Sequence, residues 1–171
     1  MKKVSIQKAF DAFKPENCVF VISIDKNGKP SGMIAGWKTR CAYKPPLFAV
    51  SLSKEGYTHK LIHRSKEFVI AVPNKKLQKA VEFFGSTSGD EVDKFKETKI
   101  KTLQSRYLKS PLIKDATINL ECKLKKEINL GDHAMFIGEI VAAYLNPKKT
   151  VLLNMGKIKG KRIFKEFVAF V

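Results

Sequence analysis

The sequence is short of the features that mark secreted, zinc-binding and membrane-spanning proteins. Its three cysteines, Cys18, Cys41 and Cys122, lie far apart, and no pair has the CxxC spacing of a zinc or redox site. No apolar run approaches the ~18 residues of a membrane span, and the first eight residues lack the apolar core of a signal peptide. We therefore expect a cytoplasmic protein with buried thiols, no metal site and no membrane association.

Acidic residues are also scarce, with 16 against 33 basic ones, which gives a net charge of +17. Such a charge attracts nucleic acids, anionic lipids or phosphorylated small molecules. Only four of the basic residues are arginines, although arginine is the usual partner of bases and phosphates in bidentate contacts. A solvated lysine-rich surface is the better interpretation. A basic nucleic-acid-binding protein without other cofactors stays an alternative.

No repeat, linker or low-complexity tract divides the chain, so residues 1–171 are expected to form a single domain. Apolar or alternating runs at 18–24, 30–39, 47–52, 67–72, 117–128, 134–144 and 163–171 predict strands, and the turn signal Asn27-Gly28 joins the first two. Ser5 and Asn74 are suitable caps for two short helices. Many strands with few helices predict a mainly β protein whose sheet closes, or nearly closes, into a barrel.

Two loops have the chemistry of phosphate sites. Residues 51–59 carry hydroxyls and a lysine between a strand and a helix, and residues 85–89 read Gly-Ser-Thr-Ser-Gly before another helix start. A helix N-terminus offers unpaired N–H groups to an anion, but taken alone each loop is better explained as an ordinary capped loop. Neither is the GxGxxG turn that takes a pyrophosphate. Residues 33–37 are small and apolar around the single tryptophan, as in a core strand or a wall for a flat ligand.

Eight short motifs follow one another in a specific order: GMIAGWKT (32–39), PPLFAVSL (45–52), YTH (57–59), EFVIAVP (67–73), EFFGSTSGDEVDKF (82–95), NLEC (119–122), GDH (131–133) and FIGE (136–139). This order resembles the flavin reductase-like, FMN-binding split-barrel family, including the flavoredoxin-type proteins. The resemblance implies a six-stranded split barrel, non-covalent FMN, and a homodimer with the flavin at or near the subunit interface.

The resemblance also implies roles for individual residues. The residues along the isoalloxazine would be Ala35, Gly36, Trp37 and Thr39. Ser51 and Ser53 would meet the ribityl chain and phosphate, with Tyr57 and Thr58 at the phosphate. The pocket would be closed by Phe84, Gly85, Ser86 and Gly89. His133 would stand where a nicotinamide or another substrate approaches, or else satisfy a neighbouring carbonyl.

Two positions depart from the family pattern. Family members often have threonine at the position of Ile34 and serine at that of Ala42, so two hydroxyls that could bond the flavin are missing. The implied function is still redox chemistry, in which FMN takes a hydride from NADH or NADPH and passes electrons to a small molecule or a redox protein. A flavoredoxin-like electron carrier that uses NAD(P)H poorly is the alternative.

Overall fold

The computed structural model describes residues 1–147 and 150–168. This part of the chain is dominated by strands, with short helices between them. The strands are β1 (Glu16–Asn17), β2 (Val19–Ile24), β3 (Pro30–Ala35), β4 (Lys38–Tyr43), β5 (Pro46–Ser53), β6 (Glu67–Val72), β7 (Thr102–Leu103), β8 (Leu112–Ile113), β9 (Ile118–Leu130), β10 (His133–Leu145), β11 (Thr150–Ile158) and β12 (Lys161–Val168). The helices are α1 (Ile6–Asp11), α2 (Tyr57–Ser65), α3 (Gln78–Phe84) and α4 (Lys94–Thr98), with a 3-10 turn at Lys75–Leu77.

The main sheet has seven antiparallel strands in the order β3-β2-β6-β9-β10-β5-β4. Its two edge strands, β3 and β4, are joined by only Gly36 and Trp37. At about 4.8 Å between neighbouring strands, a flat sheet of this size would separate its edges by about 29 Å, whereas three residue steps reach about 10 Å. The sheet must therefore curl until its edges meet, which produces the barrel.

The expected class, a mainly β split barrel, is confirmed, but the main sheet has seven strands where six were expected. The additional strand arises because the single strand predicted over 30–39 is divided at Gly36 and Trp37. The carbonyl of Trp37 accepts a hydrogen bond from the backbone N–H of Ser51 at 2.9 Å. At this point the chain stops pairing with β2 and begins to pair with β5.

The sheet is buried on both faces at its centre, so the molecule has two apolar clusters. Phe68 and Phe136 belong to the cluster inside the barrel. On the outer face, Phe20 packs beneath α3 with Val81 and Phe84. Each fully buried side chain of this size contributes roughly 1.5–3 kcal/mol of transfer free energy. No helix among the described residues is both long and apolar enough to cross a membrane.

A second, three-stranded sheet lies outside the barrel and has the order β1-β11-β12. The hairpin of β11 and β12 is attached to the barrel through β1, where Glu16 pairs with Asn154, and through Leu152, whose N–H donates to the carbonyl of Pro73 at 2.9 Å. We call β11, β12 and their connecting turn the C-terminal hairpin. The last strand was predicted over 163–171; β12 ends at Val168, and residues 169–171 lie outside the described part of the chain.

A buried carboxylate attaches the long loop after β7 to the sheet. Glu121 on β9 is fully buried, and its two oxygens accept hydrogen bonds from the N–H groups of Arg106 and Tyr107, both at 2.8 Å, and from the Tyr144 hydroxyl at 2.6 Å. Burial raises the pKa of Glu121, but the Tyr144 hydroxyl and the backbone donors lower it more, so the net pKa lies below the usual value.

We predict that Glu121→Gln lowers the free energy of unfolding by about 1–3 kcal/mol, because the amide NH₂ would oppose N–H donors. The pKa of Glu121 is depressed in the folded state. Its contribution is therefore present above the unfolded value of about 4.3 and lost as pH falls through the folded pKa. Urea unfolding at pH 7 and pH 3 measures both effects, with exposed Glu91→Gln as the control. Equal stability of Glu121→Gln and the parent at pH 7 would contradict the prediction.

Candidate functional site

A cavity of about 700 Å³ lies between the barrel and the C-terminal hairpin. Its size falls within the range of about 300–1,000 Å³ that is typical of small-molecule sites. Barrel residues form one side and hairpin residues the other, with the chain before β2 between them. The wall consists of Asp11, Lys14, Glu16, Cys18, Met33, Ile34, Ala35, Gly36, Trp37, Ser51, Ser53, His133, Asn154, Met155, Gly156, Lys157, Arg162 and Phe164.

Trp37 and His133 form an aromatic pair on the barrel side of this cavity. Their ring centroids are 4.9 Å apart and their planes are tilted by 35°. Phe10 of α1 contacts the Trp37 ring edge-on at 6.2 Å. The Nδ1 atom of His133 is 2.8 Å from Asp132 Oδ1, and this hydrogen bond lowers the pKa of Asp132. With Nδ1 donating to the carboxylate, Nε2 is the ring nitrogen available to a ligand.

Two serines of β5 bring hydroxyl groups to the same side. Ser51 and Ser53 are two residues apart on the strand, so both point to one face, and both line the cavity. Ser53 is opposite His133 in the pairing of β5 with β10. A neighbouring cavity of about 380 Å³ contains Thr39 and shares Trp37, Ser51 and His133 with the first. Thr39 therefore lines the neighbouring cavity and not the larger one.

Tyr57 and Thr58, which were expected at the flavin phosphate with Ser51 and Ser53, do not line the large cavity. Tyr57 and Gly89 line a separate cavity of about 210 Å³, together with the carboxylates of Asp25, Asp90 and Asp93. Three acidic groups against one lysine make that cavity unsuited to a phosphate. Thr58 is 3% exposed and lines none of these three cavities.

The residues expected to close the pocket have structural contacts of their own. Phe84 is buried in the outer cluster, with edge-on contacts to Phe20 at 5.2 Å and Phe95 at 5.4 Å. The Ser86 hydroxyl donates to the carbonyl of Glu82 at 2.9 Å and so caps the end of α3. Gly85 does not line the large cavity, but the side chain of Arg162, which does, lies against it. Their roles toward a ligand remain predictions.

Several wall residues had no signal in the sequence. Lys157 and Arg162 belong to a lysine-rich run that was interpreted as solvated surface, and no local pattern shows that the run folds over β3. Cys18 also lines the cavity. Burial raises the pKa of its thiol to about 11, so the group stays protonated and is a poor nucleophile.

The two histidines of α2 acquire a carboxylate partner that the sequence did not indicate. Glu127 of β9 lies 2.7 Å from His63 Nδ1 and 3.4 Å from His59 Nε2. Across residues 1–147 and 150–168, no group of three or more His, Cys, Asp or Glu side chains could hold a metal ion. The cluster joins α2 to the sheet.

Residues 14–160 match the family described as the flavin reductase like domain. The chain belongs to this family. The matched region includes the barrel, the aromatic pair and strand β11 of the C-terminal hairpin. All residues of the large cavity wall except Asp11, Arg162 and Phe164 therefore lie within the flavin reductase-like domain.

Relatives of this flavin reductase-like chain include named oxidoreductases. It is 32% identical over 129 residues to a ferric-chelate reductase (NAD(P)H) from Archaeoglobus fulgidus, covering 73% of each protein. It is 26% identical over 155 residues to an NADH-dependent FAD reductase from Streptomyces globisporus, covering 90% of this chain and 82% of the relative. The chain spans 64%, 48% and 63% of the length of three uncharacterized relatives from Archaeoglobus fulgidus, Aeropyrum pernix and Pyrococcus abyssi.

Solved structures share the fold over the full length. Flavoredoxin of Desulfovibrio vulgaris (Miyazaki F) superposes with a TM-score of 0.84 at 24% identity, covering 100% of this chain and 96% of the other. An FMN-binding protein from Thermus thermophilus superposes with a TM-score of 0.82 at 24% identity, covering 100% and 98%. At this identity the likeness establishes the split-barrel fold.

The placement of two hydroxyls predicts which one matters for flavin binding. Ser51→Ala is expected to weaken FMN binding about two- to tenfold, because it removes one hydrogen bond worth about 0.5–1.5 kcal/mol. Thr58→Val should weaken it less, since Thr58 is buried away from the large cavity. Equilibrium titration with FMN measures both. A loss of about ten- to hundredfold in Thr58→Val alone, as expected for a lost bond to a charged phosphate, would instead place the phosphate at the start of α2.

Proposed function

We propose that this chain is an FMN-dependent oxidoreductase that accepts a hydride from NADH or NADPH and passes electrons to a small molecule or a redox protein. The observation that carries the proposal is the large cavity, in which an aromatic ring, an imidazole and two serine hydroxyls converge on the family-matched barrel. The ferric-chelate reductase (NAD(P)H) among the relatives supports a nicotinamide as donor.

We propose FMN and not FAD as the flavin of this cavity. The barrel side offers the hydroxyls of Ser51 and Ser53, and no glycine-rich turn of the kind that binds a pyrophosphate is present in the sequence. The FMN-binding protein with the same fold supports this choice. The relative that is an FAD reductase makes FAD the competing ligand, and mass analysis of the released cofactor distinguishes the two.

When bound, FMN supplies reversible two-electron chemistry, and the protein supplies position and surroundings. Ile34 and Ala35 would give the flavin an apolar wall, and Trp37 would contribute an aromatic ring beside it. Lys38 donates to the carbonyls of Asn17 and Gly36 and holds the bend between β3 and β4 in place. The His133 ring, oriented by Asp132, would present Nε2 to the approaching donor substrate as a hydrogen-bond acceptor.

The test is anaerobic reduction of the FMN-reconstituted protein by NADH and by NADPH, followed by stopped-flow absorbance. We expect the flavin colour to bleach with at least one of them. His133→Ala should slow bleaching about tenfold, as expected for one hydrogen bond worth about 1.4 kcal/mol, and leave FMN affinity unchanged. His63→Ala, on an exposed histidine away from the cavity, is the matched control.

If neither NADH nor NADPH bleaches the bound flavin, the protein is an electron carrier of the flavoredoxin kind and not an NAD(P)H-dependent enzyme. Equal rates of flavin bleaching in His133→Ala and the parent would show that His133 has only a structural role. Failure to bind FMN at all would remove the proposed function.

The active form is proposed to be a homodimer. Helix α1 has no buried residue, and both Ile6 and Phe13 are 74% exposed. Ile158 and Phe167 of the C-terminal hairpin are also exposed, at 64% and 54%. Large apolar side chains are thus exposed on both α1 and the C-terminal hairpin, and a partner that covered them would remove them from water. The family resemblance makes a second copy the expected partner.

Sedimentation velocity should therefore show a dimer at micromolar concentration. The double variant Phe13→Glu, Phe167→Glu should be monomeric, because two charges would be buried without partners in each half of the interface. Lys101→Glu, an exposed change outside this surface, is the control for charge alone. A monomeric parent that retains its flavin would contradict the proposal.

A further inference from the structure

Two cationic side chains face each other across the C-terminal hairpin at the cavity. Lys157 of β11 and Arg162 of β12 are direct cross-strand partners, and both line the cavity. Like charges directly opposite on antiparallel strands destabilise the pairing. Within residues 1–147 and 150–168, neither side chain has an ion pair or a hydrogen bond. The hairpin thus keeps two unneutralised positive charges side by side at the wall of a binding cavity.

The strand is irregular next to this pair. A register shift in the pairing of β11 with β12 lies between Asn154 and Gly156. Gly156 has φ of 105°, and its N–H donates to Asn154 Oδ1 at 3.0 Å. Such a bulge bends a strand and redirects the side chains beside it. Asn154, Gly156 and Lys157 are all in the cavity wall, so the bend lies where the hairpin borders the cavity.

The guanidinium of Arg162 occupies space that a glycine leaves open. A Cβ atom at Gly85 would lie 2.7 Å from Arg162 Nη1. The φ angle of Gly85 is −87°, which any residue can adopt. The backbone conformation therefore does not require glycine at position 85. The absence of a side chain there leaves room for the guanidinium of Arg162.

The other ionic groups of the cavity do not neutralise this pair. Lys14 forms an ion pair with Glu16, and the Asp11 carboxylate accepts a hydrogen bond from Gln7. Lys14 and Glu16 thereby neutralise each other, whereas the neutral amide of Gln7 leaves the negative charge of Asp11 in place. The wall therefore keeps a net positive charge, and its two unpaired cations are on the hairpin, across from the serines and the aromatic pair of the barrel.

We propose that Lys157 and Arg162 form an oxyanion subsite that holds a phosphate or carboxylate group of the second redox substrate. An anion between the two side chains would turn their repulsion into two attractive contacts, and the planar fork of arginine suits bidentate binding of such groups. The identification of the ligand as a second redox substrate rests on the proposed function. The anion site itself does not depend on it.

Calorimetric titration of the FMN-reconstituted protein with inorganic pyrophosphate and with citrate tests the subsite. Arg162→Gln and Lys157→Gln should each weaken binding of the preferred anion by about tenfold or more. Gly85→Ala should weaken it comparably, because the new methyl displaces the guanidinium while both charges remain. Lys165→Gln, a charge removed from the same hairpin outside the cavity wall, should bind as the parent does. Parent-like binding in Arg162→Gln would overturn the proposal.

The preferred anion identifies the chemical source of the group. Tighter binding of pyrophosphate supports a phosphate-bearing donor, whereas tighter binding of citrate supports a polycarboxylate acceptor such as a metal chelate. Both results support the subsite. Binding of neither anion by the parent would exclude it.

A second measurement separates the subsite from the flavin's own phosphate. Dissociation constants of FMN and riboflavin should be the same in Arg162→Gln and the parent, while the KM of the anionic substrate rises about tenfold. A loss of affinity for FMN but not for riboflavin would assign the pair to the flavin phosphate and overturn the proposal. A parent that oxidises no nicotinamide but shows the calorimetric difference would remove the proposed function and leave the subsite standing.

Discussion

Gly36 and Trp37 are the only residues between the two edge strands of a seven-stranded sheet, and the site depends on the closure that this short link imposes. The link forces the sheet to curl. The hydrogen bond from the Ser51 N–H to the Trp37 carbonyl then brings the end of β3 against β5. Since β10 pairs with the other side of β5, His133 arrives beside Trp37. One backbone constraint therefore positions the aromatic pair and both serine hydroxyls.

The C-terminal hairpin turns this surface of the barrel into a cavity. It belongs to a separate sheet, and its attachment through β1 places it opposite β3 and Trp37. The two walls have different chemistry, because the barrel contributes apolar and hydroxyl groups while the hairpin contributes cations. A flat cofactor needs apolar contacts and a few hydrogen-bonding groups, which the barrel wall offers. A negatively charged second ligand needs cations, which the hairpin wall offers.

Local signals in the sequence were sufficient for the central strands and the mainly β class, whereas the split barrel was implied by the family resemblance. Ser5 and Asn74 cap the segments that they were expected to cap, with bonds to the N–H groups of Lys8 and Lys76. Apolar runs marked the central strands because those strands are buried on both faces. The division of residues 30–39 was not predictable, because it depends on pairing with a different strand on each side of Trp37. The position of Arg162 against Gly85 likewise depends on contacts between residues far apart in the sequence. Ser51 and Thr58 are close in the sequence, which did not show that Ser51 lines the large cavity while Thr58 is buried outside its wall.

The most direct measurement of the central claim, that flavin binds in the cavity between barrel and hairpin, uses the single tryptophan. Trp37 lines that cavity, so bound FMN should quench the tryptophan fluorescence in proportion to occupancy and reach its limit at one flavin per chain. Equilibrium dialysis in parallel gives the bound fraction independently. Agreement of the two curves is the predicted result. Flavin that binds by dialysis while the tryptophan fluorescence stays unchanged would contradict the account.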